Sequence, residues 1–153
     1  MGKNEFSFDT SSLLKAAEGL VEGGEQIVVA MGQAQIANER RRAKEGKGVD
    51  DQPMKDYSPQ YAEQKRESGR QADVRDLTVT GRMLRSRVAE KPVRVGDSHE
   101  VTLTFSDARS KLVAGANQQR TPFFGVSPRD EQVLQDVAEK ELNAVIEELN
   151  KGE

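Results

Sequence analysis

The chain has 153 residues, of which 35% are hydrophobic, 5% aromatic and 32% charged, with a formal net charge of -3 and a mean hydropathy of -0.75. That length suits one domain over residues 1–153, but so little apolar surface must offset about 1–2 kcal/mol of backbone entropy per residue, which favours a chain that orders partly on a partner over a self-sufficient enzyme. The absence of cysteine excludes a disulfide framework and thiolate metal sites, and no apolar run reaches the roughly 18 residues of a membrane span or forms a secretory signal, so neither insertion nor export is expected.

Asp9-Thr10-Ser11-Ser12 offers N-caps for a long helix. Its apolar positions Leu13, Ala17, Leu20, Gly24, Ile27, Met31 and Ala34 recur every three or four residues, and it is expected to continue through Arg42. Gly19, Gly23, Gly24 and Gly32 each cost up to about 1 kcal/mol against Ala, so packing must support this helix, and another backbone can approach it closely. From Glu45 to Pro59 the chain reads as a polar loop, broken by Gly46, Gly48, Pro53 and Pro59, and expected to be mobile or to grip a partner. Ser58-Pro59 then caps a short helix ending near Gly69, and Thr80-Gly81 precedes another, from Arg82 to Val88.

Val93, Val95, Val101, Leu103 and Phe105 alternate on either side of Gly96-Asp97 and predict a hairpin. A two-residue loop would set Val93 against Glu100 and split the apolar faces; a longer loop, pairing Val93 with Val101 and Val95 with His99, keeps them together and is the expected arrangement. The last helix, 127–150, opens at Ser127 as N-cap, Pro128 at the first helical position and Asp130 in the first turn. Leu134, Ala138, Leu142, Val145 and Leu149 form its core stripe, widened by Val133, Val137 and Ile146. The expected fold is therefore α+β, with a long N-terminal and a C-terminal amphipathic helix packed on a small antiparallel sheet and a long flexible middle loop.

The chemistry-bearing residues do not assemble into a catalytic pattern. His99, the sole histidine, lies beside the hairpin turn and reads as a surface residue. Asp50-Asp51 and Asp73 with Asp76 lack the spacing of a calcium loop or a two-metal site and read as solvated loops and caps. No phosphate-binding glycine motif occurs, so no cofactor, metal or catalytic residue is expected and the chain reads as a non-enzyme. The best nucleic-acid candidate is Arg40-Arg41-Arg42 with Lys44 and Lys47, although Glu39 and Glu45 dilute the run, no aromatic interleaves it, and a solvated helix end is the favoured reading. Charge is uneven: residues 71–126 carry nine Lys or Arg against six Asp or Glu, and 127–153 carry three against eight. That asymmetry suits a head-to-tail contact between copies.

Arg120-Thr121-Pro122-Phe123-Phe124-Gly125-Val126-Ser127-Pro128, running into the last helix, resembles the closing signature of the phage virion morphogenesis or tail completion family. Tyr57-Ser58-Pro59-Gln60-Tyr61 through Lys65 and Gly69, and Leu77-Thr78-Val79-Thr80-Gly81-Arg82-Met83-Leu84-Arg85-Ser86, resemble two earlier segments of that family in the same order. The resemblance covers roughly residues 57 to 146 and departs before the Pro-Phe box, where Ala114-Gly115-Ala116-Asn117-Gln118-Gln119 replaces the family's Tyr-Ala and His-Gly or Gln-Gly. It implies a virion protein made in the host cytoplasm, a tail completion or head–tail joining subunit forming a ring with copies of itself. Its partners would be connector or neck proteins and the tail tube or terminator, with non-specific contact to packaged DNA and none to membrane. In that reading Pro122, Phe123, Phe124, Gly125 and Ser127 are a structural latch, and Arg40, Arg41, Arg42, Lys44, Tyr57 and Tyr61 are candidate partner contacts. A tail terminator, or a small nucleic-acid regulator using Arg40 to Lys47, are the alternatives.

Overall fold

The computed structural model describes residues 5–8, 21–78 and 81–151. Its elements are β1 (Glu5–Phe8), α1 (Val21–Lys44), α2 (Pro59–Glu67), α3 (Arg82–Arg85), β2 (Arg87–Ala89), β3 (Val93–Val95), β4 (Ser98–Phe105), α4 (Ala108–Arg120) and α5 (Pro128–Lys151). The class is α+β, with two long helices and a small antiparallel sheet in which β1, β2 and β3 all pair with β4. The start expected for the first helix, at Asp9 to Leu20, lies outside the described residues.

Helix α1 organises the interior because it meets the sheet on one flank and α5 on another. Val28 and Ile36 pack with Val101 and Leu103 of β4, while Ile27 and Met31 pack with Leu134, Ala138 and Val145 of α5. Two glycines set these distances: a Cβ on Gly32 would stand 3.1 Å from Val101, and one on Gly23 only 2.6 Å from Val145. A third cluster, Ala43, Met54, Met83, Leu84, Ala114, Phe123 and Phe124, closes the end of α1.

The hairpin departs from its expected register. Val93 lies opposite Glu100 and Val95 opposite Ser98, so the loop is the two residues Gly96-Asp97. Gly96 has φ +60° at the first central position, where a type II′ turn requires it. The cause lies upstream. Ala89 pairs with Leu103 and Val93 with Glu100, so three residues, Glu90 to Pro92, oppose two, Val101 and Thr102. This one-residue bulge, at a proline with no N–H for the ladder, turns Val93 and Val95 to the face opposite Val101 and Leu103. His99, expected at the surface, alternates with Val101 and Leu103 on the inner face and is buried.

Three other elements differ from expectation. The helix from Arg82 ends at Arg85 rather than Val88, because Arg87–Ala89 extends to pair with Leu103–Phe105. Helix α4 was not anticipated; Asp107 caps it, accepting from the Ser110 N–H at 2.9 Å and the Ser110 hydroxyl at 2.8 Å. The segment 45–59 is irregular and carries backbone hydrogen bonds to itself and to Pro122. The Val49 N–H donates to the Pro122 carbonyl, the Met54 N–H to Gly46 and the Gly48 N–H to Gln52, and Met54 is buried. Finally, the end of α5 lies outside the core: Leu149, expected in the core stripe, is exposed, as are all residues from 147 to 151.

Candidate functional site

Ser127 and Asp130 form a reciprocal capping box at the start of α5. The Asp130 N–H donates to Ser127 Oγ and the Ser127 N–H to Asp130 Oδ2, each at 3.1 Å. Asp51 Oδ2 accepts from the Arg129 N–H at 3.2 Å, satisfying a further first-turn donor. Burial acts to raise Asp51, but hydrogen bonds from Ser127 and Arg129 overcome it and hold the carboxyl below its ordinary value. Pro122 to Ser127 is thus bound at most of its backbone groups. Gln118 Oε1 accepts from the N–H groups of Phe123 and Phe124 at 2.9 and 3.0 Å, and both rings are buried, packed on each other with Phe124 edge-on to Phe105. Arg87 stacks 4.7 Å from the Phe124 centroid while forking onto buried Glu39 at 2.7 and 3.1 Å.

The basic run feeds this junction from the other side. Arg42 is buried, donates to the carbonyls of Phe123 and Gly125 at 2.7 and 2.8 Å, and pairs with Asp130. Burial pulls its guanidinium below the ordinary value, with Glu39 and Asp51 offsetting, and it remains a cation. Arg41 reaches Asp130 at 3.2 Å and Glu45 at 3.8 Å, and Arg40 donates to the carbonyls of Leu84 and Arg85. Lys47 pairs with Glu45 at 3.2 Å, and Lys44 is exposed. As a candidate contact surface the run is therefore corrected: Arg42 is interior and its two neighbours hold other parts of the same chain.

Tyr57 and Tyr61 lie elsewhere, in a groove of about 710 Å³ bounded by α4 and the segments around Arg75 and Gly81. The two rings meet edge to face at 5.0 Å. Arg109, Val113, Asn117 and Arg120 line one wall, their spacing placing them on one face of α4, while Arg75 contributes from a loop and Arg82 from the start of α3. The lining contains four arginines and no carboxylate. Arg82 is held to Asp107 at 3.2 Å and Arg75 to Thr121 and the Asp56 carbonyl, whereas Arg109 and Arg120 are exposed with no ion-pair partner among the described residues.

Beneath Tyr57 sits Asp76, which is not the solvated cap its sequence context suggested. Asp76 Oδ1 accepts from Lys65 Nζ and the Tyr57 hydroxyl at 2.9 Å and the Thr78 N–H at 3.0 Å, and Oδ2 accepts from Gln71 at 2.8 Å. Burial alone would raise this carboxyl; hydrogen bonds from Lys65, Gln71 and Thr78 hold it far below the usual carboxylate range. Burial would likewise lower Lys65, but Asp76 and Tyr57 carry it above its ordinary value, and its ammonium lies 4.5 Å from the Tyr57 centroid. Tyr57 is thus fixed from below, and both half-buried tyrosines line the groove.

Among the described residues no cluster of three or more His, Cys, Asp or Glu could hold a metal, and no helix is long and apolar enough to cross a membrane. The buried carboxylates Glu39, Asp76 and Asp130 each face a cation that also binds another part of the chain, an arrangement suited to rigidity rather than proton transfer. What the arrangement offers chemically is recognition: a basic, aromatic-floored groove on a braced frame. No protein-family model, curated protein or solved structure matches the chain.

Proposed function

We propose that this chain is a non-enzymatic structural subunit of a tailed phage. In this reading it is a tail completion or head–tail joining component of the virion neck, forming a ring between connector and tail after synthesis in the host cytoplasm. The observation that carries the assembly reading is the placement of apolar side chains. The hairpin exposes Val93 at 56% and Val95 at 53%, α4 exposes Leu112 at 66% and Val113 at 43%, and the end of α5 exposes Leu149 at 51%. Meanwhile Gln35, Glu39, Arg42, Arg87 and Asp130 occupy the interior. A chain short of apolar residues that, among the described residues, leaves six large ones outside, Val74 on a loop and these five on three elements, has surfaces suited to neighbours.

The phage assignment draws on the resemblance of the 57–69, 77–86 and 120–128 segments to the tail completion family. Two of those segments share one cluster, where Met83 and Leu84 pack with Phe123 and Phe124. The nucleic-acid alternative draws on the Arg40 to Lys47 run, whose arginines are engaged within the chain. Electron microscopy of a lysate from the parent phage carrying a stop codon in this gene tests the reading. Filled heads beside free tails are expected, with tails of normal length for completion and of uncontrolled length for termination; intact virions would overturn it.

A further inference from the structure

The groove has an electrostatic counterpart on the chain itself. Between residues 136 and 151, α5 carries five carboxylates, Asp136, Glu139, Glu141, Glu147 and Glu148, against two lysines, Lys140 and Lys151. Its last described residues, 147 to 151, are exposed, with Glu147, Glu148, Leu149 and Lys151 among them. A helix C-terminus adds the negative end of its dipole and a set of unsatisfied carbonyls. The groove supplies the complement: Arg109 and Arg120 without carboxylate partners among the described residues, and exposed Val113 between them on the same wall.

We propose that the exposed end of α5 from one copy docks into the arginine groove of the next, with Glu147 and Glu148 meeting Arg109 and Arg120 and Leu149 packing on Val113. This deepens the assembly reading above and rests on it. Because groove and helix tip are different surfaces of one chain, the contact is heterologous, and its repetition produces a ring or a filament rather than a two-fold dimer. The charges set which end meets which, and the leucine and valine supply the contact that excludes water.

The chain lacks cysteine, so single thiols report the contact directly. Full-length Val113→Cys and Leu149→Cys proteins, mixed in equal amounts and mildly oxidised, are expected to cross-link at least tenfold more than either alone. They should also exceed Leu149→Cys mixed with a Lys91→Cys control on the hairpin by the same margin. Adding Arg109→Glu and Arg120→Glu to the groove chain should return the yield to background, and Glu147→Arg with Glu148→Arg on the tip chain should restore it. A mixture no better than the control overturns the docking, and so does a yield untouched by charge reversal. A groove that instead loses binding to a single-stranded oligothymidylate on reversal, with cross-linking at background, overturns it in favour of nucleic acid. None of these outcomes bears on the lysate phenotype, so failure of the contact and failure of the neck role are separable.

Discussion

Arg40, Arg41 and Arg42 are consecutive in sequence, whereas Arg75, Arg82, Arg109 and Arg120 are scattered, and folding reverses this relation. Consecutive positions on a helix point in different directions, so the run divides its charges among the α3 end, the α5 N-terminus and the core. The scattered set converges on one groove because α4 aligns Arg109 with Arg120, and a loop and the start of α3 bring Arg75 and Arg82 alongside. Density of charge along a sequence is thus a poor guide to a charged surface, and the two sets should respond oppositely to mutation.

The largest effect is expected at Arg42. Arg42→Ala leaves Asp130 buried without its main cation, the Phe123 carbonyl without its donor and the Gly125 carbonyl with Gln35 alone, a loss of about 3–5 kcal/mol. Urea unfolding measures it, and a loss below about 1 kcal/mol would put Arg42 with the surface arginines and dissolve the contrast. Next comes the brace beneath the groove. Asp76→Asn should cost about 1–3 kcal/mol, since Lys65 stays buried without its counter-ion. Its pH dependence has a definite sign. The folded carboxyl lies below its unfolded value of about 3.9, so its contribution is complete above that pH and is lost as pH falls through and below it. Lys65 is raised, so its contribution is complete below its unfolded value of about 10.4 and is lost at higher pH. The wild-type advantage over Asp76→Asn should therefore shrink below about pH 4; an advantage that stays constant to pH 2 would deny the carboxylate its role.

What was legible in the sequence was local. Ser127-Pro128 with Asp130, and Ser58-Pro59, mark two helix starts because capping is decided within four residues. The α1 stripe Ile27, Met31, Ala34 was readable because it meets a continuous apolar partner on α5. The hairpin register was not, because a bulge at Glu90 to Pro92 resets the parity of everything after it. Helix α4 escaped notice because Leu112 and Val113 face outward and only Ala114 among its apolar residues is buried, leaving no core stripe; the Asp107 cap was its one local signal. The same inversion hid the groove, whose wall is polar by helical-face spacing. Buried pairs such as Glu39 with Arg87 join residues 48 apart, and neither residue's surroundings in sequence names the other.

A smaller effect sharpens the account of how α1 sits against α5. Gly23→Ala places a methyl 2.6 Å from a Val145 Cγ, which requires that side chain to move. Overpacking of about 1–3 kcal/mol is set against a gain of up to about 1 kcal/mol in helix propensity, and adding Val145→Ala should reverse the steric part. A double mutant whose loss is the plain sum of the two would place the methyl in open space.

The smallest expected change in stability is the most telling for function. Arg109→Ala and Arg120→Ala remove exposed side chains with no ion-pair partner among the described residues, so the folded chain should lose or gain no more than about 0.5 kcal/mol. The same pair should abolish association between copies, measured as cross-linking between Val113→Cys and Leu149→Cys chains. Arg42 and Arg109 then differ in kind: one is needed to fold and should be irreplaceable by lysine, whose ammonium cannot fork between a carboxylate and two carbonyls, while the other is needed only to bind and should tolerate lysine with a modest loss. If Arg109→Lys and Arg120→Lys together abolished cross-linking as completely as alanine does, the contact would depend on forked guanidinium–carboxylate pairs with Glu147 and Glu148 rather than on charge alone.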